Sequence, residues 1–357
     1  MPTFALRLYN LKLDRGNLGR LAIIQENKME GKKLGLLVAF TLIFSYVSGL
    51  QMNAKEEQQS KDKVVVEKKK RPRMDIAFCI DTTASMQGEI DIVKSKVKEL
   101  VAKLASGKPT PDIRVALVAF RDRGDQYVTK EYEFTDDIDQ FVKDINELDA
   151  QGGGDGPESV NEALHVAVNN LGWDKSNKTA KMMFLIGDAG PNKYQGDYDW
   201  AKESKNAIAR GIQINTIGCD GLEAFPQAEG VNVFKQIAKL AEGKFELLAY
   251  KQTVTRSNGS KATLLRAGGE SYEVDASAAA DWKEGASSLV AEGKAKKVAS
   301  PLGRSYSKGR SMYAAAAGSP MAEVASPVDR SSNNLDSILI NAAQRKAESA
   351  LDVKYEK

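Results

Sequence analysis

Three oxygen-bearing side chains at alternate positions, Asp81, Thr83 and Ser85, follow directly on the apolar run Ile76-Ala77-Phe78-Cys79-Ile80. In an extended loop, spacing of i, i+2 and i+4 turns all three to one side. A carboxylate and two hydroxyls converging on a point suit Mg²⁺, which takes oxygen ligands in octahedral geometry and retains several waters. The same residues have a plain structural use. Ser85 can cap the helix that starts there, and Asp81 is a charge favoured near its N-terminus. A second carboxylate, Asp188, ends the apolar run Lys181-Met182-Met183-Phe184-Leu185-Ile186-Gly187. Between the two lies Gly152-Gly153-Gly154-Asp155-Gly156-Pro157-Glu158-Ser159, which opens a helix over Val160 to Leu171.

The elements around these segments alternate. Short β-branched and aromatic runs read as buried parallel strands, and open α/β sheets bind ligands at the carboxyl ends of such strands. Met86 to Ala105 is expected as a helix, with Ile90, Val93, Val97, Leu100, Val101 and Leu104 on one stripe. Ile113 to Phe120 reads as a strand and the more polar Tyr127 to Phe134 as an edge strand. Helices are expected over Asp136 to Leu148, Tyr198 to Arg210 (ended by Gly211) and Val233 to Ala241, with strands over Ile212 to Gly218 and Lys244 to Leu248. This alternation predicts an α/β, doubly wound, mostly parallel sheet with helices on both faces.

Taken in order, Asp81-x-Thr83-x-Ser85, the glycine loop and Asp188 resemble the von Willebrand factor A (VWA) domain and its metal-ion-dependent adhesion site (MIDAS). That family's pattern is D-x-[ST]-x-S after the first strand, a Thr from a second loop and an Asp after the fourth strand. The resemblance covers roughly residues 73 to 250. It implies a Rossmann-like VWA fold in which Asp81, Thr83 and Ser85 hold Mg²⁺ directly or through water and Asp188 completes the cage. Mn²⁺ and Ca²⁺ are the alternative ions. It also implies a protein partner that donates an acidic residue to an open position on the metal.

The second loop departs from that pattern, since no Thr lies between Gly152 and Glu162. The stretch resembles a G-G-G-D-x-P-E subgroup of VWA domains, whose loop carries carboxylates instead, which makes Asp155 and Glu158 candidate ligands. Asp155 with Glu158 is equally a capping pair, and Pro157 suits a first helical turn. An extra carboxylate would lower the net positive charge of the site and favour a harder or larger cation. Asp122, in Arg121-Asp122-Arg123 after the second strand, could orient a metal-bound water or a hydroxyl ligand. A surface ion pair among these three charges is the preferred reading. His165, the only histidine, falls inside a helix and is given no role.

An enzyme is not expected. Asp81 and Gly187-Asp188 also resemble haloacid-dehalogenase-type phosphotransferases, but Thr83 and Asn192 stand where that family has its second Asp and its outer metal ligand. The sequence holds no phosphate-cradling glycine motif, and a Ser–His–Asp triad would have to use His165 in mid-helix.

At the N-terminus, Lys32-Lys33 precede an apolar run from Leu34 to Val47. This reads as a secretory signal over residues 29–50, with Val47-Ser48-Gly49 as a cleavage site, and the run is shorter than the ~20 residues of a membrane span. An uncleaved signal anchor is the alternative and the only membrane link expected. Residues 1–28 read as a mis-annotated extension or a leader before Met29, and 51–72 as a polar, Lys-rich linker. The expectation is thus an exported, bacterial-type VWA protein working outside the cytoplasm, in the periplasm, secreted or at the cell surface. Cys79 and Cys219 are the only cysteines. The VWA strand order puts one strand between them, about 10 Å of separation, beyond disulfide reach, so both are expected as buried free thiols. Residues 251–334 are rich in Ala, Ser, Gly and Lys and are expected to be mostly disordered, apart from a weak hairpin over Thr263 to Val274. A C-terminal helix is expected over 335–352, docking on a partner or back on the domain. With a net charge of +3, nucleic acid is not an expected partner. The function expected is divalent-metal-dependent protein–protein interaction or adhesion. The alternative is a metal-independent scaffold acting through the C-terminal tail.

Overall fold

The computed structural model describes residues 71–154, 156–224, 229–256, 258–275, 286–298, 303–307, 310–314, 324–325 and 333–356. The extension, signal and linker read from residues 1–70 lie outside these, as does Asp155. Five strands, β1 (Arg73–Asp81), β2 (Asp112–Phe120), β4 (Ala180–Gly187), β5 (Ile212–Gly218) and β6 (Phe245–Leu247), run parallel. The polar strand β3 (Thr129–Thr135) pairs antiparallel with β2 at the edge, giving the order β3-β2-β1-β4-β5-β6.

The apolar runs are continuous because the central strands are buried on both faces. Met74, Ile76, Phe78 and Ile80 of β1 point into one core, and Ala77 and Cys79 into the other. Helices α1 (Gln87–Ala105) and α2 (Ile138–Asn146) cover the first face; α3 (Val160–Asn169), α4 (Trp200–Ala209) and α5 (Gly230–Leu240) cover the second. The C-terminal helix α6 (Leu335–Leu351) returns to the first face, where Leu335, Leu339, Ala343 and Ala347 join the core.

Between β6 and α6 the chain forms a second, antiparallel sheet. The hairpin expected over Thr263 to Val274 is β8 (Lys261–Ala267) with β9 (Glu270–Val274), flanked by β7 (Tyr250–Thr255) and β10 (Ala295–Val298). Order in the described part of this region therefore extends further than its composition implies. The physical reason is a compact apolar patch of its own, in which Ala249, Leu265, Val274, Leu289 and Ala295 bury one another. The start of β7 is pinned to the start of α6: Tyr250 pairs antiparallel with Asn333, and the Asn334 side chain accepts the Ala249 N–H at 2.9 Å.

Cys79 on β1 and Cys219 after β5 are both buried and form no disulfide, with β4 between them. Among the described residues no helix is long and apolar enough to cross a membrane.

Candidate metal site at the carboxyl ends of the strands

Asp81 is the last residue of β1, and Asp188 follows the adjacent strand β4, so parallel pairing brings the two carboxylates side by side at one sheet edge. Asp81 is fully buried. Its Oδ1 accepts both the backbone N–H of Thr83 at 2.8 Å and the Thr83 hydroxyl at 2.7 Å. The Thr83 hydroxyl lies 3.4 Å from that of Ser85, so the alternate spacing does bring these three oxygens together. Oδ2 of Asp81 has no hydrogen-bond partner among the described residues. The capping use of these residues is not realised. Neither the single 3₁₀ turn Ala84–Met86 nor α1 is closed by a side-chain cap.

Glu158 enters the same space from the glycine loop. Its backbone is fixed on one side of the loop, where its N–H donates to the Gly190 carbonyl at 3.0 Å and its carbonyl accepts the Asn192 N–H at 2.8 Å. Ser159 fixes the next residue by donating to the Arg121 carbonyl at 3.3 Å. Glu158 is therefore held where β2, the glycine loop and the loop after β4 meet. Its carboxyl is buried, with Oε2 lacking a hydrogen-bond partner among the described residues. The capping-pair reading fails for Glu158, since α3 begins at Val160 without a side-chain cap. Gly153 is what lets the loop close over the site. Its φ is +70°, and a Cβ there would stand 2.9 Å from Thr83 Cβ and 3.1 Å from Glu158 Oε1.

Burial pushes the Asp81 carboxyl well above the usual carboxylate range, with the neighbouring charge of Asp188 adding to it and the two Thr83 hydrogen bonds opposing it. Glu158 is pushed up to about 10, first by burial and then by Asp81, Asp122 and Asp188. Removed from water, these carboxyls hold protons unless a cation compensates them.

Asp122 corrects the sequence reading. It is buried and forms no ion pair with its neighbours. Instead it accepts the Ser159 hydroxyl at 2.8 Å, the Asn192 amide at 3.1 Å and the Tyr194 hydroxyl at 2.5 Å. Arg121 turns away to Asp149 at 3.1 Å and the Thr82 carbonyl at 3.2 Å, and Arg123 to Glu162 and Asp197, both at 3.2 Å. An acceptor-only carboxylate in a buried position takes whichever donors the adjoining loops offer, and here those are two hydroxyls and an amide. Asp122 thus clasps the loops that carry Glu158 and follow Asp188. His165 pairs with Glu203 at 3.1 Å and stacks on Tyr198, away from these carboxylates in a contact between α3 and the approach to α4. Sequence reasoning also passed over Glu89, fully buried one helical turn beyond Ser85. A carboxylate in line with Met86, Val93 and Val97 on an otherwise apolar stripe was the available signal.

The donor set of carboxylates and hydroxyls, with two buried oxygens left over, suits a hard, oxygen-seeking cation. Among the described residues no group of three His, Cys, Asp or Glu side chains forms a metal cage by itself, so the hydroxyls of Thr83 and Ser85 are needed to complete one.

Residues 75–245 match the family model of the von Willebrand factor A domain. The human von Willebrand factor A domain-containing protein 7 is 37% identical over 97 residues, which is 27% of this chain and 10% of that protein. Its mouse counterpart is 36% identical over the same length and the same shares. The chain thus spans about a tenth of the length of these relatives. Among solved structures, proximal thread matrix protein 1 from the mussel byssus aligns with 49% of this chain and 42% of its own, at 18% identity and a TM-score of 0.37. A form of that protein described with a zinc-occupied MIDAS motif aligns at 19% identity over 49% and 41% of the two chains, with a TM-score of 0.38. The family-model match, together with the doubly wound parallel sheet, supports a von Willebrand factor A domain over residues 75–245.

Proposed function

We propose that this domain binds another protein through a divalent cation, with Asp81, Thr83, Ser85 and Asp188 as its holders and Glu158 as an additional carboxylate. The observation that carries this reading is the pair of buried oxygens, Asp81 Oδ2 and Glu158 Oε2, without a hydrogen-bond partner among the described residues and in one carboxylate cluster. Leaving such groups unmet in a folded core is costly, and a cation is the natural counterpart. Mg²⁺ is the favoured ion for a mixed carboxylate and hydroxyl set, with Mn²⁺ and Ca²⁺ as alternatives. When bound, the ion supplies a Lewis-acidic position for an acidic side chain of the partner. The chain's own residues then orient the site: Thr83 fixes the Asp81 carboxyl, Gly153 lets the loop close, and Asp122 locks the surrounding loops. No catalytic group is assigned, and the protein is read as an interaction module. Reading the apolar run in residues 34–47 as a secretory signal would have this interaction take place outside the cytoplasm.

The test is calorimetric titration of the full chain with Mg²⁺, Mn²⁺ and Ca²⁺, with Asp81→Ala as control. Saturable heat in the wild type and none in the variant supports the reading. If no ion gives heat or raises the melting temperature, metal binding is wrong and the metal-independent scaffold stands.

A further inference from the structure

Glu89 and Tyr250 belong to no role assigned so far. Glu89 lies on the buried side of α1, the helix that continues from Thr83 and Ser85. A buried carboxylate needs a donor, and the Tyr250 hydroxyl supplies one, 2.5 Å from Oε1. The same hydroxyl accepts the backbone N–H of Asp220 at 3.3 Å. The next residue, Gly221, lies against the other side of the cluster. Its φ is +129°, and a Cβ there would stand 3.2 Å from the Asp188 carbonyl oxygen and 3.4 Å from Asp188 Oδ2. One hydroxyl thus ties the helix behind Thr83 and Ser85 to the loop backing Asp188.

The ring that carries this hydroxyl is itself fixed. Tyr250 is 1% exposed, and its backbone is pinned by pairing with Asn333, while the preceding residue, Ala249, donates its N–H to the Asn334 side chain. Burial, Cys219 and Glu89 together hold the hydroxyl well above the usual tyrosine range, so it keeps its proton and donates it. Tyr250 also lies beyond residues 75–245, the span that matches the family model.

We propose that Tyr250 is a positioning residue of the metal site, holding Glu89 and the Asp220–Gly221 backbone so that Asp81 and Asp188 stay set for a cation. This inference rests on the metal-binding reading above. Glu89, near enough to Asp81 to bear on its charge, adds negative potential behind the site. Partners of this kind typically change metal affinity by about 10- to 100-fold when removed.

The experiment compares the full-length wild type with Tyr250→Phe and Glu89→Gln. Mg²⁺ affinity is measured by calorimetry, the melting temperature in chelator, and the tyrosine ultraviolet difference spectrum on adding Mg²⁺. Tyr250→Phe is expected to weaken binding about 10- to 100-fold and to abolish part of the difference spectrum. Glu89→Gln keeps an oxygen acceptor for the Tyr250 hydroxyl, so it should hold the metal-free melting temperature near wild type while still weakening binding. Should Tyr250→Phe fail to fold, Glu89→Met, which removes the acceptor of the Tyr250 hydroxyl, decides. Wild-type affinity in the folded variants overturns this inference alone, whereas a wild type that binds no metal overturns it together with the function proposed above.

Discussion

Thr83 gives both its backbone N–H and its hydroxyl to a single oxygen of Asp81, Oδ1, at 2.8 and 2.7 Å. This double donation sets the carboxyl's orientation and leaves the other oxygen turned toward β4, where a Cβ on Gly187 would meet it at 3.5 Å. Thr83→Val keeps the shape and the backbone donor but removes the hydroxyl. A loss of about 1 kcal/mol is expected in metal-free stability by chemical denaturation, with a larger fall in Mg²⁺ affinity by calorimetry. Equal affinity in the two proteins would show that the hydroxyl serves the carboxyl alone.

Protonation of the cluster should be visible as a pH dependence. Burial and the neighbouring carboxylates push the Glu158 carboxyl up to about 10, against 4.5 ordinarily. Above its ordinary value the unfolded chain gives up a proton that the folded chain keeps, so metal-free stability falls as pH rises between those limits. Asp81, raised in the same direction, adds to the slope. Thermal melts in chelator across that range should show this fall, and Glu158→Gln should flatten it. A cation must displace the retained protons, so metal affinity should rise with pH. Calorimetry in two buffers of different ionisation enthalpy would detect the released protons.

Two adjacent glycines should respond unequally to the same substitution. Gly153 combines a φ of +70° with close neighbours on both sides, whereas a Cβ on Gly154 meets nothing within 4 Å. Gly153→Ala is expected to cost about 1–2 kcal/mol from backbone conformation alone and to disturb metal binding through Thr83 and Glu158. Gly154→Ala should stay within about 0.5 kcal/mol of wild type and bind metal normally. Denaturant midpoints and Mg²⁺ titrations of the pair provide the comparison.

At the opposite end of β1, fully buried Asp75 receives Arg114 through two bonds, 3.0 Å to Oδ1 and 2.6 Å to Oδ2. Arg114→Met leaves that carboxylate only the Asp174 N–H at 2.9 Å, and a loss of about 3 kcal/mol is expected. Because the pair stands at the far ends of the strands from Asp81 and Asp188, Mg²⁺ affinity of the folded variant should not change. A substantial drop in affinity would mean that the two ends of the sheet are coupled.

Cys79 and Cys219 should resist alkylation in the native chain and react after unfolding. Both are buried, and burial pushes the Cys79 thiol far up. Mass spectrometry before and after denaturant should show two labelled thiols appearing together, with no mass deficit from a disulfide.

The strand and helix alternation was legible because each central strand is apolar on both faces and each helix carries one apolar stripe. The grouping of Asp81, Thr83, Ser85 and Asp188 at one edge was legible because their positions follow from strand ends, a local property of the chain. Asp122 was legible as a residue of interest but not in its role. Its partners Ser159, Asn192 and Tyr194 arrive from two other loops, and no spacing within Arg121-Asp122-Arg123 encodes them. Tyr250 was invisible for the same reason, lying 161 positions from Glu89. The second sheet escaped composition because its apolar patch is small and built largely from alanine, leucine and valine, which an average over residues 251–334 dilutes.

The antiparallel bridge between Tyr250 and Asn333 makes everything from 251 to 332 an excursion that departs and rejoins at one place. Closing a loop costs entropy only as the logarithm of its length. On that ground the excursion can lengthen, shrink or exchange its contents at little cost, provided that its two ends still meet and its apolar patch keeps its packing against Leu247. Such a junction is a grafting point, where the second sheet can be exchanged while the carboxyl edge of the first stays intact.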